Sequence, residues 1–437
     1  MAEMAETRAG SKLDFQFAPD LRAFVDALGG EAVATAWEET GVRPPLPHVL
    51  LPDGGRAEVP PLPSTKGCPA PGRCRKVEVC RVRRAFAAFE GLVFALEGQR
   101  VLAVSKCPQE LLHMLEDVCP TGFRTLPAGD GGRPGVVRVE MQALVFAHVL
   151  QGTSVDPRSF NPFYDEVRLL GAAAPQDSEV VRVRRLAPAM RSFSCNFLHF
   201  VAGALPVAVA LVGRVPSDTC FLTYGTTFAL GLLERVGVPK ERLLIYDPCC
   251  VYHAEELFLV SGLNEAGDFP SPETVDAVRR ALQGFDRPVQ PLGGPVMVLI
   301  ERGGSERRLA NIDVVEEAMR AVAHCRGAGV VRAVLEAMGV EEQLRLCALC
   351  CFLLGTEGAG LAHALHLPDG ATIVNVLPTR SRFGPLPSQQ GYGYFHHLCA
   401  VRGTLNYRAI SVPDADWDTP EVSAPMRAVC AVLDEWS

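Results

Sequence analysis

Hydrophobic and polar positions along this chain follow two rhythms, one near 3.6 residues and one near 2. Leu21, Phe24, Val25 and Leu28 fall at i, i+3, i+4 and i+7, which predicts an amphipathic helix near the start of the ordered chain. From Pro44 to Pro71 the sequence is dense in Pro and Gly, which continue neither a helix nor a central strand, so this stretch reads as a linker or a surface-hugging arm. Apolar runs at 92–96 and 101–104 flank Glu97, Gly98 and Gln99 and predict a hairpin. Arg81, Arg83, Arg84 and Arg182, Arg184, Arg185 alternate with valines, as solvated strand faces do. The uncharged stretch from Ser192 to Gly213 is long enough to consider a membrane span, yet Asn196, His199 and Pro206 lie inside it, and a buried helix is the better reading. Residues 221–233 and 242–247 read as helix and strand, joined by Gly237, Val238 and Pro239.

After the break at Gln290–Pro295 the pattern becomes regular. Val296 to Ile300 is a continuous apolar run, expected of a strand covered on both faces. Asn311 is placed to cap the next helix, with Val315, Ala318, Met319 and Val322 as its buried stripe. Further strands are expected at 330–334, 349–354 and 372–377, with a short helix at 342–346 and another from Leu361. Strict alternation implies a parallel sheet with right-handed crossovers, a Rossmann-like domain. The expected organisation is an N-terminal helix and proline-rich arm over 1–80, a second domain over 81–288 and the Rossmann-like domain over 289–437.

Composition narrows the function classes. The chain has 437 residues, 48% of them hydrophobic and 21% charged, which excludes a mainly disordered protein. A net charge of −8 supplies no cationic field for a nucleic acid, and neither that partner nor a membrane span is expected. The acidic start, with no apolar run before Asp14, points to the cytoplasm as written, and to the secretory lumen if the chain is trimmed. The 15 cysteines are odd in number and scattered, so most read as buried free thiols. Cys68, Cys74 and Cys80 recur at six-residue intervals, which is not a zinc-site spacing, although a metal-dependent N-terminal scaffold is an alternative.

Two features carry candidate chemistry in the last third. Gly355 to Gly360 form a glycine-rich turn between a strand and a helix, where backbone N–H groups of Gly358, Ala359 and Gly360 could face a diphosphate; tight packing alone also explains such a turn. Arg302, Arg307 and Arg308 follow the first strand of the same sheet, and guanidiniums beyond strand carboxyl ends suit phosphate, as they also suit a solvated basic loop. In the first half, Asn196 and His199 lie three apart and are expected on one helix face; a histidine on an apolar helix reads as a hydrogen-bonded core residue or, with Asn196 orienting it, as a general base.

These residues resemble glycosyltransferase family 61. Asn196-Phe-Leu-His199-Phe through Leu205-Pro206 is similar to the family's Asn-x-x-His-Phe…Leu-Pro helix. Arg302 with Ser305 to Asn311 resembles its strand-end Arg and Arg-Arg-x-x-Asn segment, and Glu342-Gln343 its Glu-Gln. Gly355 to Leu361, with Leu367 to Val374, resembles Gly-x-His-Gly-Ala-Gly-Leu…Pro-x-Gly-x-x-Val. The likeness runs from about Arg182 to Arg408. It implies a GT-B fold, two Rossmann-like domains facing a cleft, and inverting transfer from a nucleotide sugar, UDP-linked, to a glycan or glycoprotein hydroxyl, with no obligatory metal or other cofactor. Glu357 stands where the family has His, and is expected to accept hydrogen bonds from ribose or sugar hydroxyls. That departure keeps a second reading open, a catalytically inactive GT-B module that binds nucleotide or glycan. Asp414 and Asp416 form an Asp-x-Asp that reads as a solvated loop.

Overall fold

A computed structural model describes residues 13–18, 25–26, 29–39, 49–50, 56–57, 75–87, 93–97, 100–104, 123–125, 137–141, 180–190, 194–246, 251–263, 270–283, 294–304, 306–381, 384–385, 393–416 and 419–436. The chain forms two compact units, residues 1–39 with 74–268 and residues 40–73 with 269–437. This partition differs from the boundaries expected at 80 and 288, because the N-terminal segment joins the first unit and the proline-rich stretch the second. Of the arm, Val49–Leu50 and Arg56–Ala57 are described; they form short paired strands, and Leu50 lies beside Ile410. Leu21, Phe24, Leu28, Cys68 and Cys74 lie outside the described residues.

In the first unit, β1 (Val180–Pro188), β2 (Cys220–Thr223), β3 (Leu243–Ile245) and β4 (Val251–Ser261) are parallel, in the order β3-β2-β1-β4. The chain leaves β1 in one direction and returns on its other side at β4. Beyond β4 the sheet is continued antiparallel by Arg75–Ala87, against which Glu31–Glu39 also pairs. The hairpin expected near residue 97 is present, Val93–Glu97 pairing with Arg100–Val104. The basic clusters do lie on strands: Val79 and Val82 are buried, while Arg83, Arg182 and Arg184 are exposed. Arg81 and Arg185 meet on Glu256 of β4, at 3.0 and 2.5 Å. The helix expected over 221–233 is corrected. Phe221 to Thr223 belong to β2, and the helix, α1 (Thr227–Arg235), begins only after Gly225. A four-residue apolar strand running straight into an apolar helix leaves no change of period to read.

The uncharged segment is a buried helical run over 197–211. Its middle, Phe200–Ala204, is a π turn, with the Leu205 N–H bonded to the Phe200 carbonyl. Pro206 has no N–H and would crowd the carbonyl one α-turn back, and widening of the preceding turn relieves that clash. Among the described residues no helix is long and apolar enough to cross a membrane.

The second unit is built on β5 (Val296–Ile300), β6 (Gly329–Ala333), β7 (Cys350–Thr356), β8 (Thr372–Ser381) and β9 (Asn406–Asp416), all parallel, in the order β6-β5-β7-β8-β9. The mixed α/β class with parallel sheets is therefore as expected. Helices α2 (Pro272–Gln283), α3 (Ile312–Arg326), α4 (Val340–Ala348), α5 (Gly393–Arg402) and α6 (Met426–Trp436) accompany the sheet. Met297, Leu299, Phe352, Leu354, Val374 and Val376 meet Val315 and Met319 of α3 and Val429, Val432 and Leu433 of α6 in one core. Their alternates Val298, Leu353 and Ile373 are buried too, which is why these strands read as unbroken apolar runs.

Two details correct the sequence reading. Asn311 occupies the N-cap position of α3 but makes no side-chain cap; its amide is paired with the Ala424 backbone in both directions at 2.9 Å. Asp414 and Asp416 sit at the end of β9 rather than in a loop. No group of three or more His, Cys, Asp or Glu among the described residues could hold a metal ion, and Cys347, Cys350 and Cys399 are buried thiols.

Candidate functional site

In an open parallel sheet, the strand ends diverge where the winding reverses, and ligands enter beyond the carboxyl ends there. In the second unit that point lies between β5 and β7. Arg302 leaves the end of β5, and the glycine turn leaves the end of β7, so the two expected features flank the same crevice. They touch: Arg302 Nη1 donates to the Glu357 carbonyl at 2.8 Å, and a Cβ on Gly358 would lie 2.1 Å from that nitrogen. Gly358 has extended backbone, so glycine is required there by the guanidinium laid across it and not by dihedral strain. Gly355 and Gly360 face Ile300, where a Cβ would approach to 3.0 and 3.3 Å, and serve strand and turn packing.

The helix expected from Leu361 is a seven-residue 3-10 segment, Ala359–Leu365. Its first hydrogen bond runs from Leu361 N–H to Gly358 carbonyl at 3.1 Å, so the N–H groups of Ala359 and Gly360 precede the bonded ladder. A short 3-10 turn carries little macrodipole, and the charge at this edge comes from arginine. The segment is held from behind. Arg402, wholly buried, donates to the carbonyls of Ala364, Leu365 and Leu367 at 3.0–3.2 Å and to Asp369 at 2.6 Å. Gln343 donates to the carbonyls of Leu335 and Met338 and so presents its oxygen to His363 Nε2 at 2.9 Å. Burial pushes His363 down to about 4, which keeps the ring neutral.

Arg307 lies beside the end of β7, near enough to Glu357 to act on its charge. It is the one described non-glycine residue with positive φ, 52°, and its backbone is pinned by its N–H on the Thr419 carbonyl and by Thr356 Oγ1 on its own carbonyl, at 2.8 and 2.7 Å. Left-handed backbone in a non-glycine residue costs about 1 kcal/mol, and the surrounding bonds must hold it. Arg308 is not brought to the cluster. It points outward and pairs with Glu421 at 2.7 Å, while its neighbour Leu309 enters the core.

Glu357 is buried, and its carboxylate accepts from Asn375 Nδ2, which also lies 3.0 Å from the Tyr407 hydroxyl. The hydroxyl-reading role expected of this residue meets a carboxyl turned into the protein. Burial pushes it up to about 8, against the lowering effect of Asn375, Arg307 and Arg302. Burial lowers Arg302 as well, although a guanidinium keeps its charge. Asn375, Tyr407 and Arg402 were not anticipated. Asn375 alone left a trace, as the one amide inside the apolar run Thr372 to Leu377.

In the first unit the reversal lies between β1 and β4, and residues 194–199 follow the end of β1. Asn196 does not share a helix face with His199. It is the N-cap, with Oδ1 accepting from Leu198 N–H at 3.0 Å, a role Asn fills because its short amide reaches the orphan donors of the first turn. His199 is half-buried, and burial lowers its proton affinity, which favours the neutral imidazole. Phe197 and Phe200 both pack edge-on against Phe228 of α1, at 5.5 and 5.7 Å, and fix the turn that carries His199.

A parallel sheet with an arginine and a glycine turn meeting at its winding reversal defines a Rossmann-like unit. The family model for glycosyltransferase 61 matches residues 112–374, more than half of the chain, and the protein belongs to that family. Membership makes it a glycosyltransferase by class, with a sugar donor and a glycan acceptor. No curated protein matches the chain.

Proposed function

We propose that the protein is an inverting, metal-independent GT-B enzyme transferring a sugar such as xylose or N-acetylglucosamine from a UDP-sugar to a glycan or glycoprotein hydroxyl. The observation that carries this reading is Arg302 lying across Gly358 at the reversal between β5 and β7. In the proposed reaction the diphosphate is seated by Arg302 and Arg307 with the N–H groups of Ala359 and Gly360. Charge growing on the leaving phosphate is offset by these donors, which are fixed before reaction. His199, neutral in the free protein, takes the acceptor proton as the hydroxyl attacks the anomeric carbon. Asn196 supports it by capping the turn, and Arg308 is left as a surface ion pair.

The Glu at position 357 favours one other reading, a module that binds nucleotide or glycan without turnover. A panel of UDP-xylose, UDP-N-acetylglucosamine, UDP-arabinose, UDP-glucose and GDP-sugars, assayed for thermal shift and for release of nucleotide diphosphate, separates the two. Product from one UDP-sugar supports the enzyme. Binding with no product from any donor supports the module.

A further inference from the structure

Glu357 stands between the two parts of the candidate seat in a way no hydroxyl-reading residue needs to. Its main chain is held at both ends: the carbonyl accepts Arg302 Nη1 at 2.8 Å, and the N–H donates to the Val376 carbonyl at 3.0 Å. Its side chain passes into the sheet and meets Asn375, which is wholly buried and adjoins the hydroxyl of Tyr407, a residue whose ring lies edge-on to that of His396 with centroids 5.1 Å apart. The carboxyl that follows β7 is thus held by Asn375 of β8, and Asn375 in turn by Tyr407 of β9. The charged groups that face it are Arg302 and Arg307, and Arg302 in turn faces Glu306 and Glu336.

We propose that Glu357 is a positioning residue that couples diphosphate binding to the uptake of one proton: it aims Arg302 through its carbonyl, and its carboxyl tunes the charge the two arginines present. This rests on the diphosphate seat proposed above. Protonating Glu357 makes the group formed by Arg302, Arg307, Glu306, Glu336 and Glu357 more positive by one charge. A bound diphosphate favours the protonated state, and by linkage a proton on Glu357 favours the diphosphate. The proton comes from solvent and goes to the Glu357 carboxylate, and no other bond changes. Burial pushes the carboxyl up to about 8, so the coupling is weak at pH 7 and grows above it. The last phosphoryl ionisation has its midpoint at about pH 6, and the uracil N3–H of UDP, which ionises toward the top of the range, does so for both proteins, so the coupling is read from the difference between wild type and Glu357→Gln.

The test is calorimetric titration of the full chain with UDP at pH 7.0, 8.5 and 9.5, run at pH 8.5 in two buffers of different ionisation enthalpy, for the wild type and Glu357→Gln. Expected for the wild type is a Kd that rises about tenfold from pH 7.0 to 9.5, with uptake of a fraction of a proton per UDP at pH 8.5. Expected for Glu357→Gln, which cannot ionise, is less than a twofold rise and no uptake. The proton count in the wild type needs no variant and decides the matter if Glu357→Gln does not fold. UDP binding with no proton uptake and the same pH dependence in both proteins overturns the coupling and leaves the seat standing. Absence of UDP binding at pH 7.0 in both proteins overturns the seat and the coupling together.

Discussion

Placing a methyl group on Gly358 tests the contact on which the candidate site is built. The backbone there is extended, so alanine fits without strain and gains about 0.4–1 kcal/mol from a less flexible unfolded chain. The new Cβ would lie 2.1 Å from Arg302 Nη1 and 3.1 Å from its Cζ, so the guanidinium has to leave. What is lost is one charge-assisted hydrogen bond to the Glu357 carbonyl, worth about 1.5–3 kcal/mol, partly offset as the freed guanidinium regains water. The expected cost of Gly358→Ala is therefore about 1–2 kcal/mol. In an Arg302→Ala background the same change should keep only its gain of about 0.4–1 kcal/mol, because the methyl enters space already vacated. Urea unfolding of the four proteins of this cycle, with midpoints compared at constant slope, gives the coupling energy. A value of about 1 kcal/mol or more is expected. Additivity within about 0.5 kcal/mol would refute the contact.

Other expectations follow from single features. His199→Ala should lower turnover by about 10²–10⁴ with UDP affinity nearly unchanged, and equal loss of both would make the histidine structural. Glu357 has a folded-state proton affinity above its unfolded value, so its contribution to stability is whole below pH 4.5 and is lost as pH rises to about 8. The melting temperature of the wild type should accordingly fall between pH 5 and 8 relative to Glu357→Gln, and parallel curves would contradict the buried carboxyl. Asn311→Ala breaks two bonds to the Ala424 backbone and should cost about 1–3 kcal/mol in urea unfolding, whereas a loss of a few tenths would show that water replaces the amide.

The parallel sheet of the second unit could be read from sequence because its strands are covered on both faces, so that burial leaves unbroken apolar runs such as Val296 to Ile300. β2 could not be read, since its four residues pass into α1 with no polar interval wide enough to mark the change. β9 escaped for a related reason: Pro413 and two aspartates interrupt it near its end and suggest a loop. Within the candidate site, Arg302 and Gly358 were readable as residue types placed after the first and third strands of the sheet. Their contact depends on the strand order β5-β7, which local pattern does not encode. The outward turn of Arg308 follows from Leu309 taking the core position, an alternation visible in the sequence once Arg308–Leu309 is known to be a strand. Tyr407 and Arg402 left no signal, because a tyrosine in a strand and an arginine ending a helix are ordinary until the turn they support is in place.

UDP affinity measured side by side for the wild type and Arg302→Ala at pH 7.0 bears most directly on the seat at the β5–β7 edge. Saturable binding that weakens about ten- to a hundredfold on removal of the guanidinium is the expected result. Equal affinity in the two proteins would contradict it.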